Sequence, residues 1–232
     1  MRPRKRKNLD PRMEAASAVL VGQPEQHRGA WRALFGAPPH APLDLELGCG
    51  KGAFICELAR REQGRCLIAF DKVPEVLVLA LEKAVEAGLS NLRFVLGDAA
   101  FLDNYFAPGE VSRLYLNFCD PWPKSRQAKR RLTHRSFLAA YMRLLGPGGE
   151  LHFKTDNRPL FDFSIGELTA CGFALSQVSY DLHAENPAFN IVTEYERTWS
   201  EKGYPINRLV ATVTDRTAPA PARKRAAVAD PL

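Results

Sequence analysis

From about residue 43 onward, short apolar runs bounded by turn residues alternate with stretches whose apolar positions recur at helical spacing. This alternation predicts repeated strand and helix units, hence an α/β fold with an open, mostly parallel sheet and helices on both faces. Strands are predicted at residues 43–47, 66–70, 92–96, 113–118, 150–154, 173–180 and 208–213, with helices at about 53–61, 74–87, 136–145, 160–170 and 193–202.

The composition places this sheet in one compact domain of an ordinary globular chain. The 232 residues are 46% hydrophobic and 25% charged. We expect a basic N-terminal arm at residues 1–30, a domain at 31–215 and a low-complexity basic tail at 216–232. The sequence has no run of eighteen apolar residues, and no apolar segment follows its basic start. The sequence therefore predicts no membrane span and no secretory signal. We expect a cytoplasmic protein.

Cysteine usage and charge narrow the function further. The five cysteines contain no Cys-x-x-Cys pair, so we expect reduced packing residues, no disulfide framework and no metal site. Of the net charge of +6, residues 1–12 carry +5, residues 124–135 carry +6 and residues 216–232 carry +3, which leaves an acidic remainder. The terminal charges could serve solubility alone. The internal run, with no acidic residue between 121 and 149, indicates a partner that is a polyanion.

An acidic residue stands at the carboxyl end of five predicted strands. In an open parallel sheet these ends form the edge at which ligands bind. Each acid could instead cap the helix that follows it. Five acidic residues on one edge of the sheet nevertheless indicate a ligand that has hydroxyl and amine groups. These residues are Glu46, Asp71, Asp98, Asp120 and Asp156.

The glycine-rich turn after the first strand indicates which ligand this is. Its spacing, Gly48-x-Gly50-x-Gly52, fits neither the dinucleotide fingerprint nor a phosphate-binding P-loop. With Glu46 before it, the turn resembles the first motif of class I (Rossmann-like) S-adenosylmethionine-dependent methyltransferases. Asp71 would accept hydrogen bonds from the ribose hydroxyls of that cofactor, and Asp98 would contact its adenine.

The fourth strand ends in Asp120-Pro121-Trp122-Pro123-Lys124, followed by the basic run. Two prolines fix the backbone around an aromatic residue that can stack on a base, and the cations are suited to phosphates. Trp122 could alternatively be a core residue in a rigid turn.

Taken together, these segments resemble one family, the bacterial tRNA (guanine-N7)-methyltransferases of the TrmB type. The resemblance covers about residues 1–213, and its carriers are the glycine motif, residues 120–124, Lys129-Arg130-Arg131-Leu132, residues 152–157 and Thr193-Glu194-Tyr195-Glu196. It implies methyl transfer from S-adenosylmethionine to N7 of the guanosine at position 46, in the variable loop of tRNA. The implied cofactor residues are Glu46, Gly48, Gly50, Asp71, Asp98 and Asp120, with Asp120 also catalytic; Lys124, Asp156, Thr193, Glu194, Tyr195 and Glu196 would bind the guanosine, and Arg126, Lys129, Arg130 and Arg131 the RNA.

Some alternatives remain open from the sequence. The Thr193-x-x-Glu196 spacing also fits a helix capping box. Asp71 stands where the family commonly has Glu. An amino-methylating nucleic-acid enzyme and an inactive RNA-binding protein on the same scaffold are competing hypotheses, and the assembly is a monomer or a homodimer.

Overall fold

The computed structural model describes residues 7–185, 187 and 189–214. The strands are β1 Leu43–Leu47, β2 Cys66–Asp71, β3 Leu92–Leu96, β4 Arg113–Asn117, β5 Glu150–Thr155, β6 Phe173–Ser179 and β7 Asn207–Val213. The α-helices are α1 Leu9–Ala15, α2 Ala53–Arg61, α3 Pro74–Glu86, α4 Leu102–Tyr105, α5 Arg135–Leu145, α6 Arg158–Ala170, α7 Leu182–Glu185 and α8 Glu194–Ser200. Short 3-10 helices span Ser17–Val19, Pro24–His27, Trp31–Phe35, Ala99–Phe101 and Ser125–Arg130.

The strands form a seven-stranded sheet in the order β3-β2-β1-β4-β5-β7-β6. The first five are parallel, whereas β7 inserts between β5 and β6 and runs antiparallel to both. The predicted α/β fold with a mostly parallel sheet is therefore confirmed. The order reverses direction after β1, so the carboxyl ends of β1 and β4 lie side by side at the point where such sheets bind ligands.

Helices cover both faces of the sheet, and β1 shows how the two faces are built. Leu43, Leu45 and Leu47 pack into a core that includes α5 and α6. Asp44 and Glu46 alternate with them and point to the face that α2 and α3 cover, yet both are buried. The alternation of apolar and polar residues would ordinarily place the acids in water. Here the packing encloses them instead.

Two helices approach each other closely beside the glycine-rich turn. Gly52 has φ of +73° and precedes α2, and a Cβ atom at this position would lie 2.7 Å from Cβ of Ala80 in α3. Only glycine satisfies both conditions, since other residues strain at positive φ and would also clash. The glycine thus sets how α2 leaves the sheet edge.

The N-terminal segment, predicted as an arm, contains a helix that the sequence analysis did not identify. α1 packs against α3, and the Arg12 guanidinium binds both oxygens of Glu82 at 2.6 and 2.7 Å. Further along, the backbone of Val21 donates to Phe94 of β3. A seven-residue helix is too short to be stable by itself and gains its stability from docking. The arm's residues 1–6 and the tail from 215 onward lie outside the described residues.

The described residues also show the state of the cysteines and the character of the helices. All five cysteines are free thiols. Among the described residues, no group of acidic, His or Cys side chains has the arrangement of a metal site. No helix in that part of the chain is both long and apolar enough to cross a membrane.

Candidate active site

Two adjoining cavities open at the carboxyl ends of β1, β2 and β4. The first, of about 270 Å³, is lined by three of the predicted acids, Asp71, Asp98 and Asp120, and we call it the cofactor cavity. The second, of about 450 Å³, contains Glu46 and is called the central cavity. The two share Gly48, Val76 and Phe118.

Glu46 is the most deeply buried acid of this site. Its side chain is at the end of β1, and the residue is only 2% exposed. Asn117 of β4 donates to Oε1 at 2.9 Å, whereas Oε2 is buried with no hydrogen-bond partner in the described structure. Burial raises the pKa of Glu46 to about 7. A buried oxygen left without a donor is costly, so the site favours a cationic or donor group of a ligand at this point.

Asp71 fixes the glycine-rich turn. Its two carboxylate oxygens accept from the backbone N–H groups of Gly50 and Val73, each at 2.9 Å. Gly50 has φ of +56°, a conformation that glycine adopts without strain. Asp98, at the end of β3, is exposed and accepts from the backbone of Ala100. These two acids therefore line the cofactor cavity and also order the turns that form it.

The segment after β4 carries Asp120 on a strained backbone. Phe118 and Trp122, on either side of it, have φ of +53° and +41°, values that non-glycine residues adopt rarely. The guanidinium of Arg131 donates to the carbonyl oxygens of Pro121 and Trp122, each at 3.0 Å. Arg131 also packs over the Phe163 ring. It therefore holds the Asp120 loop in place, a role that the sequence analysis did not assign to this predicted RNA contact.

The other predicted RNA-binding cations lie on the surface. Arg126, Lys129 and Arg130 are exposed, and residues 125–130 form a short 3-10 helix. Lys124, predicted to bind the guanosine, is exposed just before this helix. The guanidinium of Arg130 lies 3.7 Å from the centre of the Trp122 ring, and both residues line the cofactor cavity. The cationic surface therefore begins at the wall of that cavity.

Aromatic rings line the central cavity. Tyr195, at the start of α8, contacts the Phe118 ring with their centres 5.0 Å apart, and Phe54 of α2 lies on the same wall. The Tyr195 hydroxyl donates to Asp156 at 3.3 Å. Thr193 caps α8 by accepting from the backbone of Glu196, which is the threonine half of the predicted capping box, and it also lines the cavity. Glu194 is the first residue of α8.

Glu196 lies behind this wall, fully buried. It forms an ion pair with Lys154 of β5 at 2.7 Å and accepts from Asn190 and His183 at 2.9 and 3.1 Å. Lys154 also donates to the backbone carbonyl of Ile191, and its burial lowers the pKa of its ammonium group. Both Glu196 oxygens are thus used inside the protein, so its carboxylate positions α8 and the segment before it.

Two participants could not be identified from spacing alone. Asn117 binds Glu46, which lies 71 positions earlier in the chain, and Lys154 binds Glu196, which lies 42 positions later. Lys154 belongs to a motif that the sequence analysis quoted, but no local pattern indicates its partner. The structure brings together four of the predicted acids at the two cavities: Glu46, Asp71, Asp98 and Asp120. Asp156 lies apart from them, next to Tyr195. Glu196 is buried in the interior.

Comparisons with known proteins identify the family of the chain. A family model described as a putative methyltransferase matches residues 40–209. A tRNA (guanine-N(7)-)-methyltransferase of Listeria monocytogenes is 46% identical over 200 residues, which are 86% of this chain and 92% of that protein. A protein of the same name from Geobacillus kaustophilus is 44% identical over 91% of this chain and 96% of its own length.

Solved structures support the fold independently. The crystal structure of the 16S rRNA methyltransferase KamB superposes with a TM-score of 0.59 at 15% identity, covering 79% of this chain and 91% of that chain. The sheet order, the cavities beside β1 and β4 and the extent of the sequence match lead to one conclusion. The chain belongs to the family of bacterial tRNA (guanine-N7)-methyltransferases.

Proposed function

We propose that this protein transfers a methyl group from S-adenosylmethionine to N7 of a guanosine in tRNA, the guanosine at position 46 of the variable loop. The observation that carries the proposal is the pair of adjoining cavities. One is lined by acids suited to a nucleoside, and the other has aromatic walls beside a buried carboxylate. The enzyme acts in the cytoplasm. It is a monomer or a homodimer, and light scattering distinguishes the two by their mass.

The residues present fit the methyl donor. The unpartnered Oε2 of Glu46 offers an acceptor for a ligand ammonium group, and the exposed carboxylate of Asp98 offers one for adenine. Asp71 lines the same cavity, where its remaining lone pairs are suited to ribose hydroxyls. Gly48 forms the floor shared by both cavities. When bound, S-adenosylmethionine supplies an activated methyl group on a sulfonium.

The chemistry of the acceptor determines what the protein must do. Guanine N7 has an in-plane lone pair and no proton, so it needs no general base and mainly has to be positioned. Phe118 and Tyr195 provide ring faces for the purine. Asp156, which is held by the Tyr195 hydroxyl, and Asp120 supply acceptors for the guanine N–H groups and negative charge where the ring becomes cationic. Thr193, the N-cap of α8, lines the same cavity, and we assign Glu194, the first residue of that helix, to the guanosine as well. Lys124, directly after the Asp120 loop, contacts the guanosine from the surface, and Arg126, Lys129 and Arg130 bind the phosphates.

The test is transfer of labelled methyl to unmodified tRNA transcripts, followed by nucleoside analysis. We expect 7-methylguanosine with the natural transcript and none when the variable-loop guanosine is replaced by adenosine. Label on an exocyclic amine would support the amino-methylating alternative, and binding without transfer would support the inactive scaffold.

Asp120→Asn is the matched variant for this assay because it keeps the size of the side chain and removes its charge. We expect a loss of turnover of about 100-fold or more, since a charge facing the transition state is removed. tRNA affinity should stay within about twofold, because the cations that bind phosphates are intact. Turnover at the level of the unmodified protein would remove Asp120 from its catalytic role.

A further inference from the structure

A second basic surface lies on the side of α2 and α3 that faces α8. Four cations from three helices line one groove of about 510 Å³. We call it the α2/α3 groove; its cations are Arg60, Arg61, Lys83 and Arg197. Glu57 is the only acidic residue among those lining the groove.

The cations of the groove are not neutralised within the protein. Arg60 and Arg61 share the single carboxylate of Glu57, at 3.1 and 2.8 Å. Lys83 and Arg197 form no ion pair with any residue in the part of the chain that the structure describes. Four positive charges against one negative charge leave a surplus of three. The three arginines are exposed and Lys83 is half-buried, so the surplus is suited to a polyanion.

The groove is continuous with the central cavity. Ala53, the first residue of α2, lines both. Arg197 belongs to α8, the helix whose residues Thr193, Tyr195 and Thr198 form the wall of the central cavity. Through different residues, Gly48, Val76 and Phe118, the central cavity adjoins the cofactor cavity, where Arg130 begins the first cationic surface. The pocket for the target nucleoside therefore has a cationic surface on each side.

We propose that the α2/α3 groove binds the sugar-phosphate backbone of the RNA strand on one side of the target guanosine, while residues 124–130 bind it on the other. The inference rests on the proposed function. A nucleoside that enters the central cavity remains joined to neighbours in both directions, and their phosphates require cations on both sides of the entrance. The sequence analysis assigned RNA contacts to one side only.

The test compares two double variants that remove equal charge. Lys83→Gln with Arg197→Gln removes the two unpaired cations of the groove. Arg28→Gln with Arg143→Gln is the control: both residues donate to Asp103 of α4, and Arg143 belongs to α5, which covers the other face of the sheet. The affinity of each variant for an unmodified tRNA transcript is measured by filter binding over a series of salt concentrations, and thermal unfolding checks that each variant folds.

We expect the groove variant to bind tRNA roughly tenfold more weakly and to lose about one to two units of slope of log affinity against log salt. The control should keep both quantities within about twofold and half a unit. A groove variant that matches the control, while the unmodified protein still produces 7-methylguanosine, would overturn this inference and leave the proposed function intact. Failure of the unmodified protein to bind tRNA would instead overturn the proposed function.

A photo-crosslinking amino acid at position 83 makes the test independent of affinity. We expect crosslinks to nucleotides adjacent to the methylated guanosine. Crosslinks confined to a distant arm of the tRNA, or none, would contradict the assignment of the groove to this strand.

Discussion

At the scale of single residues, the two acids of β1 show how burial determines chemistry. Asp44 and Glu46 occupy equivalent positions two residues apart on the same face of the strand. Asp44 is paired with Arg65, so its charge is compensated within the protein. Glu46 receives one donor, from Asn117, and its second oxygen has none in the described structure. Glu46 opens on the central cavity, where its free oxygen is available to a ligand.

The raised pKa of Glu46 predicts a pH-dependent affinity for the cofactor. The folded protein without ligand keeps a proton on Glu46 up to about pH 7, whereas the unfolded chain loses it near the ordinary value of 4.5. Burial of Glu46 therefore lowers folding stability as the pH rises between these values. A bound cation favours the ionised carboxylate, so we expect the dissociation constant for S-adenosylmethionine to fall about tenfold from pH 6 to pH 8.

Isothermal titration calorimetry in buffers of different ionisation enthalpy measures this effect and counts the protons released. Glu46→Gln is the matched variant because the amide oxygen still accepts from Asn117 but does not titrate. It should bind the cofactor more weakly and with little dependence on pH. The same pH dependence in Glu46→Gln would assign the titration to another group.

At the scale of elements, α8 is a short helix of the site that a distant strand holds in place. It spans seven residues, yet it provides the Tyr195 wall of the central cavity. Its Glu196 is anchored to Lys154 in β5, and Lys154 also binds Ile191 in the preceding segment. The buried ion pair thus connects a short helix to the middle of the sheet.

Replacing Lys154 by Met should destabilise the protein by about 3 kcal/mol, because it leaves the buried Glu196 carboxylate without its charged partner. The double variant Lys154→Met with Glu196→Gln should lose less than the single variant, since the uncompensated charge is gone. Urea unfolding followed by circular dichroism measures both. The single variant Glu196→Gln completes the comparison. If the double variant loses as much unfolding free energy as the two single variants together, the ion pair does not couple these elements.

Arg131 serves a comparable purpose for the Asp120 loop. Neighbouring arginines in the same basic run have different environments: Arg130 is exposed on the Trp122 ring, and Arg131 is fastened to the carbonyl oxygens of Pro121 and Trp122. The loop contains two residues at positive φ, a conformation that costs free energy unless its surroundings hold it. Arg131 provides part of that support.

At the scale of the whole molecule, positive charge is concentrated on surfaces around an acidic site. Residues 124–135 carry +6, whereas the chain as a whole carries +6 and includes two further basic termini. The remainder is therefore acidic, and several of its carboxylates line the cofactor cavity. This separation lets RNA approach the edges of the site while the cavity itself favours cationic groups.

The charge separation predicts which cations determine the salt dependence of tRNA binding. Arg126→Gln with Lys129→Gln removes two exposed charges and should reduce the slope of log affinity against log salt by about two. Arg131→Gln should change the slope little, since its guanidinium is used within the loop, and should reduce turnover instead. Filter binding and steady-state kinetics measure the two effects. Equal slopes for the Arg126/Lys129 variant and the unmodified protein would place the RNA path elsewhere.

Local patterns along the chain predicted the succession of the seven strands and of α2, α3, α5, α6 and α8, the glycine-rich turn and the acids at the strand ends. These features follow from local rules: a strand repeats every two residues, a helix every 3.6, and the end of a parallel strand carries the ligand-facing side chains. The helix Ala53–Arg61 and the strand Leu43–Leu47 were predictable to the residue for this reason. The helix Leu9–Ala15 was missed because its stability comes from docking on Pro74–Glu86.

The roles of the charged residues depend on contacts between elements that are distant in the sequence. Asn117 donates to Glu46, Lys154 pairs with Glu196, and Arg60 and Arg197 line one groove, although the members of each pair are 42 or more positions apart. Whether a carboxylate binds a ligand, pairs with a cation or caps a helix depends on its burial and on which donors face it. No periodicity in the sequence encodes those distances, because they arise from the packing of several elements at once.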